Sequence, residues 1–364
     1  MRLVPVEATA EALLPALEAA LAGGDAVLPV PPDPARLLAA LRPDEPLEDD
    51  VAVVIPTSGS TGEPKGALLP ASALLASAHA TADRLGGHAQ WLLAIPPSHV
   101  GGLQVLVRSL VAGTTPVVVP PGPFTAERFA RATARLTGER RCVSLVPTQL
   151  LRLLDAGADL TSYDAVLLGA AFAAPALLER AGAAGARVVT TYGMSETTGG
   201  CVYGGVPLDG VTATVVDGLV RLAGPVLAHG YRLRPDLTAE AFGPDGFRTS
   251  DLGALRDGVL EVLGRADDLV VTGGEKVAPA AVEAALRTHP AVVDAGVVGV
   301  PDDHWGQRVV AHVVLRAPLT LDQARAHVAA VLTGPHAPRE LVEVIDLPVL
   351  PSGKLDRAAL RSAT

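Results

Sequence analysis

The chain contains 364 residues, of which 49% are hydrophobic and 19% are charged, and its formal net charge is −10. This length predicts two or three domains with sizeable cores, and an acidic chain without a basic cluster is not expected to bind nucleic acid. The most apolar stretch, residues 92–120, is interrupted by prolines, His99 and Arg108, so no membrane span is expected. Since no signal peptide is evident either, a cytoplasmic protein is predicted.

Strand and helix patterns alternate through the first half of the chain. Helical periodicity appears over residues 8–22, and from residue 51 to residue 191 short β-branched runs alternate with longer helical patterns. This alternation predicts an α/β domain whose mostly parallel sheet is covered by helices on both faces. The predicted strands are 51–55, 91–95, 115–119, 142–146, 165–168 and 187–191. The predicted helices between them are 70–86, 101–112, 125–137, 147–156 and 174–184.

The pattern changes after Tyr192. Residues 211–263 contain short strand patterns separated by turn signals such as Asp217-Gly218 and Asp257-Gly258, which predict a small antiparallel β subdomain. The rest of the chain predicts an α+β domain, with helices at 279–288 and 321–332 and strands at 292–300, 308–315 and 341–346. We therefore predict a large N-terminal domain, residues 1–265, and a small mobile C-terminal domain, residues 266–364.

A glycine-rich loop follows the strand pattern 51–55 and is expected to precede a helix. It reads Pro-Thr-Ser-Gly-Ser-Thr-Gly-Glu-Pro-Lys-Gly over residues 56–66. Glycines let the backbone approach an anion closely, while backbone N–H groups, hydroxyls and the Lys65 ammonium supply donors, as a triphosphate requires. The spacing differs from the Walker pattern, in which lysine directly follows glycine and precedes serine or threonine. A hydroxyl-rich surface turn is the alternative interpretation.

Only three lysines occur in the chain, Lys65, Lys276 and Lys354, and each lies within two residues of glycine or proline. Lysine at these positions indicates a need for a compact, mobile ammonium, which the planar guanidinium of arginine cannot replace. Chance survival in an arginine-biased composition is the alternative for each of them.

Five ordered segments resemble the signatures of the adenylate-forming superfamily, which includes acyl-CoA synthetases, peptide-synthetase adenylation domains and luciferases. The first is the glycine-rich loop. The others are TYGMSET at 191–197, FRTSDLG at 247–253, GRADD at 264–268 with GGEKV at 273–277, and PSGKLDR at 351–357. The resemblance implies joining of a carboxylate to the α-phosphate of ATP with Mg²⁺, followed by transfer of the acyl group to a thiol such as coenzyme A.

The resemblance also implies roles for individual residues. Lys354 would bridge the carboxylate and the α-phosphate, Lys65 would meet the outer phosphates, and Glu196 would be a catalytic Mg²⁺ ligand. Thr61 would be a second metal ligand, and Asp267 the hinge about which the C-terminal domain rotates. The implied nucleotide-binding residues are Thr57, Ser58, Gly59, Ser60, Thr61, Gly62, Gly169, Ala170, Tyr192, Gly193, Ser195, Asp251 and Arg265.

Two details are left open by these motifs. The role of Lys276, just beyond the hinge, is undecided between the thioester-forming face and the solvated surface. Ser250 stands where the family has glycine, and it would be strained if that position needs a positive φ, so we expect a local adjustment.

Segments 95–110, 145–150 and 199–210 resemble the compact o-succinylbenzoate–CoA ligases of actinobacterial menaquinone biosynthesis. That resemblance, which also fits the short stretch before the glycine-rich loop, implies an aromatic dicarboxylate substrate and is compatible with a homodimer. One carboxylate reacts and the other must be held, so a cation or several donors should face the pocket. The candidates are His99, Arg108, Thr148 and Gln149.

Two other functions remain open. Another aryl- or short-acyl-CoA ligase would share the chemistry and differ in the pocket. A non-catalytic nucleotide-binding protein on the same fold would have no need of Lys354.

Overall fold

A computed structural model describes residues 1–47, 50–58, 64–332, 334–349 and 355–364. The chain divides into two compact units. Unit 1 comprises Met1–Ala173, Arg180–Thr214 and Arg221–Arg248, and unit 2 comprises Ala174–Glu179, Val215–Val220 and Thr249–Thr364. Within the described residues, no helix combines the length and apolar character needed to cross a membrane.

The first sheet is formed by strands that lie on both sides of the glycine-rich loop in the sequence. Its elements are β1 (Leu3–Glu7), α1 (Ala10–Leu21), β2 (Ala26–Val30), α2 (Ala35–Leu41), β3 (Val51–Ser58) and β4 (Pro64–Pro70). The strand order is β1-β2-β3-β4, with β1, β2 and β3 parallel and β4 antiparallel to β3. The helix expected after the loop at 70–86 is α3, but β4, a strand that the sequence analysis does not predict, lies between the loop and this helix.

The second sheet contains the alternating pattern that the sequence predicts. Its elements are α3 (Ala71–Leu85), β5 (Gln90–Leu93), α4 (Val100–Ala112), β6 (Val117–Val118), α5 (Ala126–Thr133), β7 (Arg141–Leu145), α6 (Pro147–Asp155), β8 (Ala165–Leu168), α7 (Pro175–Ala183), β9 (Val188–Met194), β10 (Gly199–Tyr203) and β11 (Val206–Pro207). The strand order is β11-β10-β9-β8-β7-β5-β6. Strands β5 to β9 are parallel, and β10 runs antiparallel to β9 and to β11.

A third sheet follows. Its elements are β12 (Thr212–Val216), β13 (Leu219–Ala223), α8 (Pro235–Ala241), β14 (Phe242–Gly243), β15 (Gly246–Arg256) and β16 (Val259–Arg265). The strand order is β12-β13-β15-β14, and β16 pairs with the other part of β15. Both residues of the turns Asp217-Gly218 and Asp257-Gly258 have positive φ, which is the conformation that two-residue hairpin turns require.

The last part of the chain forms a sheet covered by helices. Its elements are β17 (Val270–Thr272), β18 (Glu275–Val277), α9 (Pro279–Arg287), β19 (Val292–Asp302), β20 (Gly306–Leu315), α10 (Leu321–Val331), β21 (Glu340–Glu343) and α11 (Arg357–Ser362). The strand order is β18-β17-β20-β19, with β21 parallel to β20. Val282 and Leu286 of α9 pack with Val297 and Val309 into one buried core.

Arg232 is a fully buried cation that connects distant parts of unit 1. Its guanidinium donates hydrogen bonds to four backbone carbonyl oxygens, that of the last residue of α2 and three that follow it: Leu41 at 2.5 Å, Arg42 at 2.6 Å, Glu45 at 2.8 Å and Pro46 at 3.2 Å. Only 2% of the residue is exposed. One side chain thus supplies donors to the last carbonyl of α2, which has no partner within the helix, and to three carbonyls of the segment that follows.

We expect Arg232→Met to lower the free energy of unfolding by about 3 kcal/mol, because it leaves buried carbonyl oxygens without donors. The matched control is Arg131→Met, since Arg131 is exposed and pairs with Glu127 on the surface of α5. Urea unfolding followed by circular dichroism measures both. Equal midpoints for the two variants would contradict a stabilising role for Arg232.

Candidate active site

A cavity of about 100 Å³ lies in unit 1 beside the carboxyl ends of β7, β8 and β9. It is lined mostly by glycines and apolar side chains, with one cation. The lining residues are Ile95, Val100, Gly101, Gln104, Arg108, Ser144, Leu145, Leu167, Gly169, Ala170, Thr191, Gly193, Gly199, Gly200 and Tyr203. The carboxyl ends of parallel strands are the usual location of ligand sites in α/β sheets.

The shape of this cavity depends on close backbone approaches. A Cβ at Gly193 would lie 2.1 Å from the carbonyl oxygen of Gly199, and one at Gly169 would lie 2.4 Å from Oγ1 of Thr191. Only glycine allows β9 and β10 to pair at this distance. Ala170 has a φ of +67°, a left-handed conformation that turns the chain at the cavity wall directly after β8.

Arg108 brings a buried positive charge to the cavity. The residue is 6% exposed, its Nη2 donates to Oη of Tyr203 at 3.4 Å, and its guanidinium carbon lies 5.0 Å from the ring centroid of Trp91. Among the residues that the structure describes, no carboxylate forms an ion pair with Arg108, and its buried Nε has no hydrogen-bond partner. A buried cation without a counterion favours an anionic ligand.

The hydroxyl group of Tyr203, which accepts from Arg108, also contacts a second hydroxyl group. Oη of Tyr203 lies 3.0 Å from Oγ1 of Thr81. Because a guanidinium only donates, the tyrosine oxygen accepts from Arg108, while either hydroxyl can be the donor in the contact with Thr81. The Tyr203 hydroxyl is thus occupied on both sides, and Arg108 is held between it and the Trp91 ring.

The other three predicted acid-binding residues do not line the cavity. Oε1 of Gln149 accepts from the backbone N–H of Val146 at 3.0 Å, and its Nε2 donates to the carbonyl oxygen of Ala94 at 2.9 Å, so this amide caps α6. Thr148 lies in the first turn of α6, and His99 is the residue before α4. Their contacts with a substrate stay predictions.

A second cluster of charged groups lies at Glu196, in the short 3₁₀ turn Ser195–Thr197 between β9 and β10. Oε1 of Glu196 accepts a hydrogen bond from Oη of Tyr231 at 2.7 Å and lies 3.5 Å from Nζ of Lys65. The same Nζ is 3.9 Å from the ring centroid of Tyr231. Burial, and then the neighbouring Glu196 charge, raises the pKa of Tyr231. The phenol therefore remains a donor.

Backbone pairing places these three side chains together. Lys65 is on β4 opposite Thr57 of β3, and the segment before α8 pairs with β4 through the bridge between Ala67 and Tyr231. The turn that carries Glu196 is held by Thr197, whose Oγ1 accepts from the N–H of Met194 at 3.0 Å. The carbonyl oxygen of Glu196 accepts from the N–H of Ala228 at 2.9 Å.

The chemistry of this cluster fits a magnesium ion. Within the described chain, no hydrogen bond or ion pair involves Oε2 of Glu196, and no group of three or more histidine, cysteine or acidic side chains is arranged so that it could hold a metal ion. A single hard carboxylate oxygen suits Mg²⁺, which keeps most of its waters and takes further ligands from phosphates. Glu196 would hold the ion.

The remaining predicted nucleotide residues fall into three groups. Tyr192, Gly193 and Ser195 lie together on β9 and the following turn, and Thr57 and Ser58 end β3. Gly59, Ser60, Thr61 and Gly62 lie outside the described residues, as does Lys354. Asp251 and Arg265 are opposite each other on β15 and β16 in unit 2.

The segment of unit 2 that contains Ser250 and Asp267 shows why Ser250 is tolerated. Ser250 is not among the described residues with positive φ, so the strain considered from the sequence does not arise. Its Oγ accepts from Nη2 of Arg265 at 2.5 Å, and the same nitrogen donates to Oδ2 of Asp267 at 2.9 Å. Asp267 lies in the 3₁₀ turn Ala266–Asp268, and Lys276 is exposed on β18.

Sequence reasoning missed two of the residues in these clusters, Tyr203 and Tyr231. Both belong to a type that occurs only four times in the chain, a scarcity that could have drawn attention to them, and Tyr203 also lies in segment 199–210. The partners of Tyr203 lie 95 and 122 residues away along the chain, beyond the reach of any local motif.

Two family models match the chain. The model described as AMP-binding enzyme matches residues 6–231, and the model described as AMP-binding enzyme C-terminal domain matches residues 281–354. A probable 2-succinylbenzoate–CoA ligase of Mycobacterium tuberculosis is 52% identical over 371 aligned residues, which cover 98% of this chain and 96% of that protein.

Solved structures give the same picture of the fold. The o-succinylbenzoate CoA synthetase (MenE) from Bacillus subtilis, in complex with the acyl-adenylate intermediate OSB-AMP, has a TM-score of 0.75 and 28% identity, covering 97% of this chain and 81% of that chain. ATP-bound MatB from Rhodopseudomonas palustris has a TM-score of 0.78 and 27% identity, covering 98% and 82%. The α/β fold class predicted from the sequence, with a large N-terminal and a small C-terminal domain, is confirmed.

We expect Gly193→Ala to lower the free energy of unfolding by about 2 kcal/mol, because the added methyl group overpacks the pairing of β9 with β10. Gly182→Ala is the matched control, since nothing lies within 4 Å of a Cβ at this helical position. The control should leave stability unchanged or slightly raised. Thermal unfolding of both variants measures the difference, and an unchanged midpoint for Gly193→Ala would contradict the tight pairing.

Proposed function

The chain belongs to the AMP-binding enzyme family, and on that premise we propose that it is an ATP-dependent acid–CoA ligase that acts on 2-succinylbenzoate. In the first half-reaction the succinyl carboxylate attacks the α-phosphate of ATP and pyrophosphate leaves. In the second, the thiol of coenzyme A attacks the acyl-adenylate and AMP leaves. The product, 2-succinylbenzoyl-CoA, would serve menaquinone biosynthesis.

The observation that carries the choice of acid is the buried guanidinium of Arg108 in the cavity. A dicarboxylate substrate leaves one carboxylate unreacted, and that group needs a fixed cation. A benzoate or short acyl substrate has only the carboxylate that reacts, so it would leave Arg108 buried without a counterion, which is energetically costly. The cavity therefore supports an aromatic dicarboxylate over the other acids.

The residues of the Glu196 cluster supply the nucleotide half of the site. Glu196, with Thr61 as a second ligand, would hold Mg²⁺, which when bound neutralises phosphate charge. Lys65 would neutralise the outer phosphates as pyrophosphate leaves, and Lys354 would bridge the carboxylate and the α-phosphate. In both roles the compact ammonium group can stay close to negative charge that shifts between oxygen atoms during the reaction.

The other predicted roles complete the proposal. Tyr192 would stack on adenine, which lies against Gly169 and Ala170, and Asp251 would accept hydrogen bonds from the ribose hydroxyls. Residues 266–364 would act as a lid that turns about Asp267 between the two half-reactions, which is a motion that a few backbone angles can absorb. We also propose coenzyme A as the thiol and the cytoplasm as the location.

Pyrophosphate release with a panel of acids tests the proposed reaction. We expect turnover with 2-succinylbenzoate in the presence of ATP, Mg²⁺ and coenzyme A. We expect kcat/KM to be about 100-fold lower with 3-benzoylpropionate, which has the same succinyl chain but lacks the ring carboxylate that a buried charge would bind. Equal values for the two acids would point to another acyl-CoA ligase, and no pyrophosphate with any acid would point to a non-catalytic nucleotide-binding protein.

Arg108→Ala separates the acid pocket from the nucleotide site. We expect the KM for 2-succinylbenzoate to rise roughly 100-fold, because the ring carboxylate loses its buried partner, while the KM for ATP stays the same. The variant should also lose its preference over 3-benzoylpropionate. Arg131→Ala, at an exposed arginine, serves as the control. An unchanged KM for the dicarboxylate would remove Arg108 from the pocket.

A further inference from the structure

We propose that Tyr231 is a positioning residue of the nucleotide site, whose hydroxyl orients the Glu196 carboxylate and whose ring face holds the Lys65 ammonium before Mg²⁺ and nucleotide bind. This inference rests on the proposed use of ATP and Mg²⁺ at this site. Tyr231 is 5% exposed, and no signature segment of the sequence contains it.

The two oxygens of the Glu196 carboxylate differ in the partners that they have among the described residues. Oε1 receives the Tyr231 hydroxyl at 2.7 Å and faces Nζ of Lys65 at 3.5 Å, whereas no described residue pairs with Oε2. A carboxylate anchored through one oxygen presents the other in a fixed direction. Tyr231 therefore leaves one oxygen available to a metal ion and keeps the carboxylate from turning both oxygens toward Lys65.

The ring of Tyr231 acts on Lys65. With Nζ 3.9 Å from the ring centroid, the ammonium lies on the aromatic face at a distance typical of a cation–π contact. Its side chain is 22% exposed, so it is partly desolvated before any ligand arrives. Lys65 and Glu196 neutralise each other in this state, and both lie ready for new partners of opposite charge.

Packing fixes the position of the ring independently of the hydroxyl. The ring contacts Phe242 edge-on, with centroids 5.7 Å apart, and Phe242 in turn packs against Phe247 at 4.9 Å. The backbone at Tyr231 is held by its bridge to Ala67 of β4. Tyr231→Phe should therefore keep the ring in place over Lys65 and delete only the hydrogen bond to Glu196.

The test measures nucleotide binding without any acid, with the full chain and α,β-methylene-ATP as the probe. Isothermal titration with saturating Mg²⁺ and with EDTA gives the gain in affinity due to the metal. We expect Tyr231→Phe to reduce this gain about tenfold, the size of one lost hydrogen bond to a charged group, and to leave binding in EDTA unchanged. Tyr231→Leu, which also loses the ring, should weaken binding in EDTA as well.

The matched control is Tyr163→Phe, which deletes another buried hydroxyl, one that pairs with Oγ1 of Thr133 at 2.6 Å. It should leave both affinities unchanged. An unaltered metal-dependent gain in Tyr231→Phe would overturn the proposal, and so would an equal loss with and without Mg²⁺, which indicates a purely structural role. Because no acid is present, these outcomes are independent of whether the parent protein uses 2-succinylbenzoate.

Discussion

The pairing of β4 with the segment before α8 is the interaction on which the candidate site depends. The N–H of Leu68 donates to the carbonyl oxygen of Gly230, and the N–H of Arg232 donates to that of Gly66, both at 2.9 Å. This short ladder brings Lys65 and Tyr231 together although they are far apart in the sequence. It also places Arg232 next to the carbonyl oxygens at the end of α2 and just after it, so the segment that brings Lys65, Glu196 and Tyr231 together is anchored to the first sheet.

Buried charges in unit 1 are compensated in three different ways. These differences distinguish a charge that stabilises the fold from charges that can still bind a ligand. Arg232 is surrounded by four backbone carbonyls, which satisfy it without any ligand. Glu196 is neutralised by Lys65 and bonded by Tyr231, and among the described residues both contacts fall on the same oxygen. Arg108 has a tyrosine hydroxyl and a tryptophan ring but no described counterion. From Arg232 through Glu196 to Arg108, the protein supplies fewer hydrogen-bond and ion-pair partners to the buried charge. The binding of a ligand that supplies the missing partners is therefore favoured most at Arg108.

Unit 2 contains a buried acidic residue, Glu283, whose contacts within the protein stabilise the fold. Glu283 accepts from Arg357 and lies 3.8 Å from Arg287, and its Oε1 also accepts the N–H of Val297. Both oxygens have partners, in contrast to Glu196. Arg357 also pairs with Asp268 at 3.1 Å, so this network joins the start of α11 to the turn that follows β16.

Periodicity predicted the parallel strands of the second sheet well because the central ones, β5, β7 and β8, are almost wholly buried and the helices between them are long enough to show their repeat. The antiparallel strands β10 and β11 of this sheet were not predicted. The strands β1, β2 and β4 were missed, since β2 reads Ala-Val-Leu-Pro-Val and β4 begins with Pro-Lys-Gly. Proline and glycine suggested turns there, and only pairing with neighbours makes these segments strands. The motifs located Lys65 and Glu196, but the contact between them and the role of Gln149 as a helix cap are tertiary facts.

The scarcity of lysine gains a physical reason at position 65. A guanidinium in place of the Lys65 ammonium would present a planar fork that matches both oxygens of a carboxylate. At Glu196 that fork would occupy Oε2 as well as Oε1 and close the oxygen that remains available. An ammonium makes a single-point contact, at 3.5 Å, and rests on the Tyr231 ring at the same time. In a chain where 26 of 29 basic residues are arginine, lysine at this position keeps the pair loose enough to exchange partners.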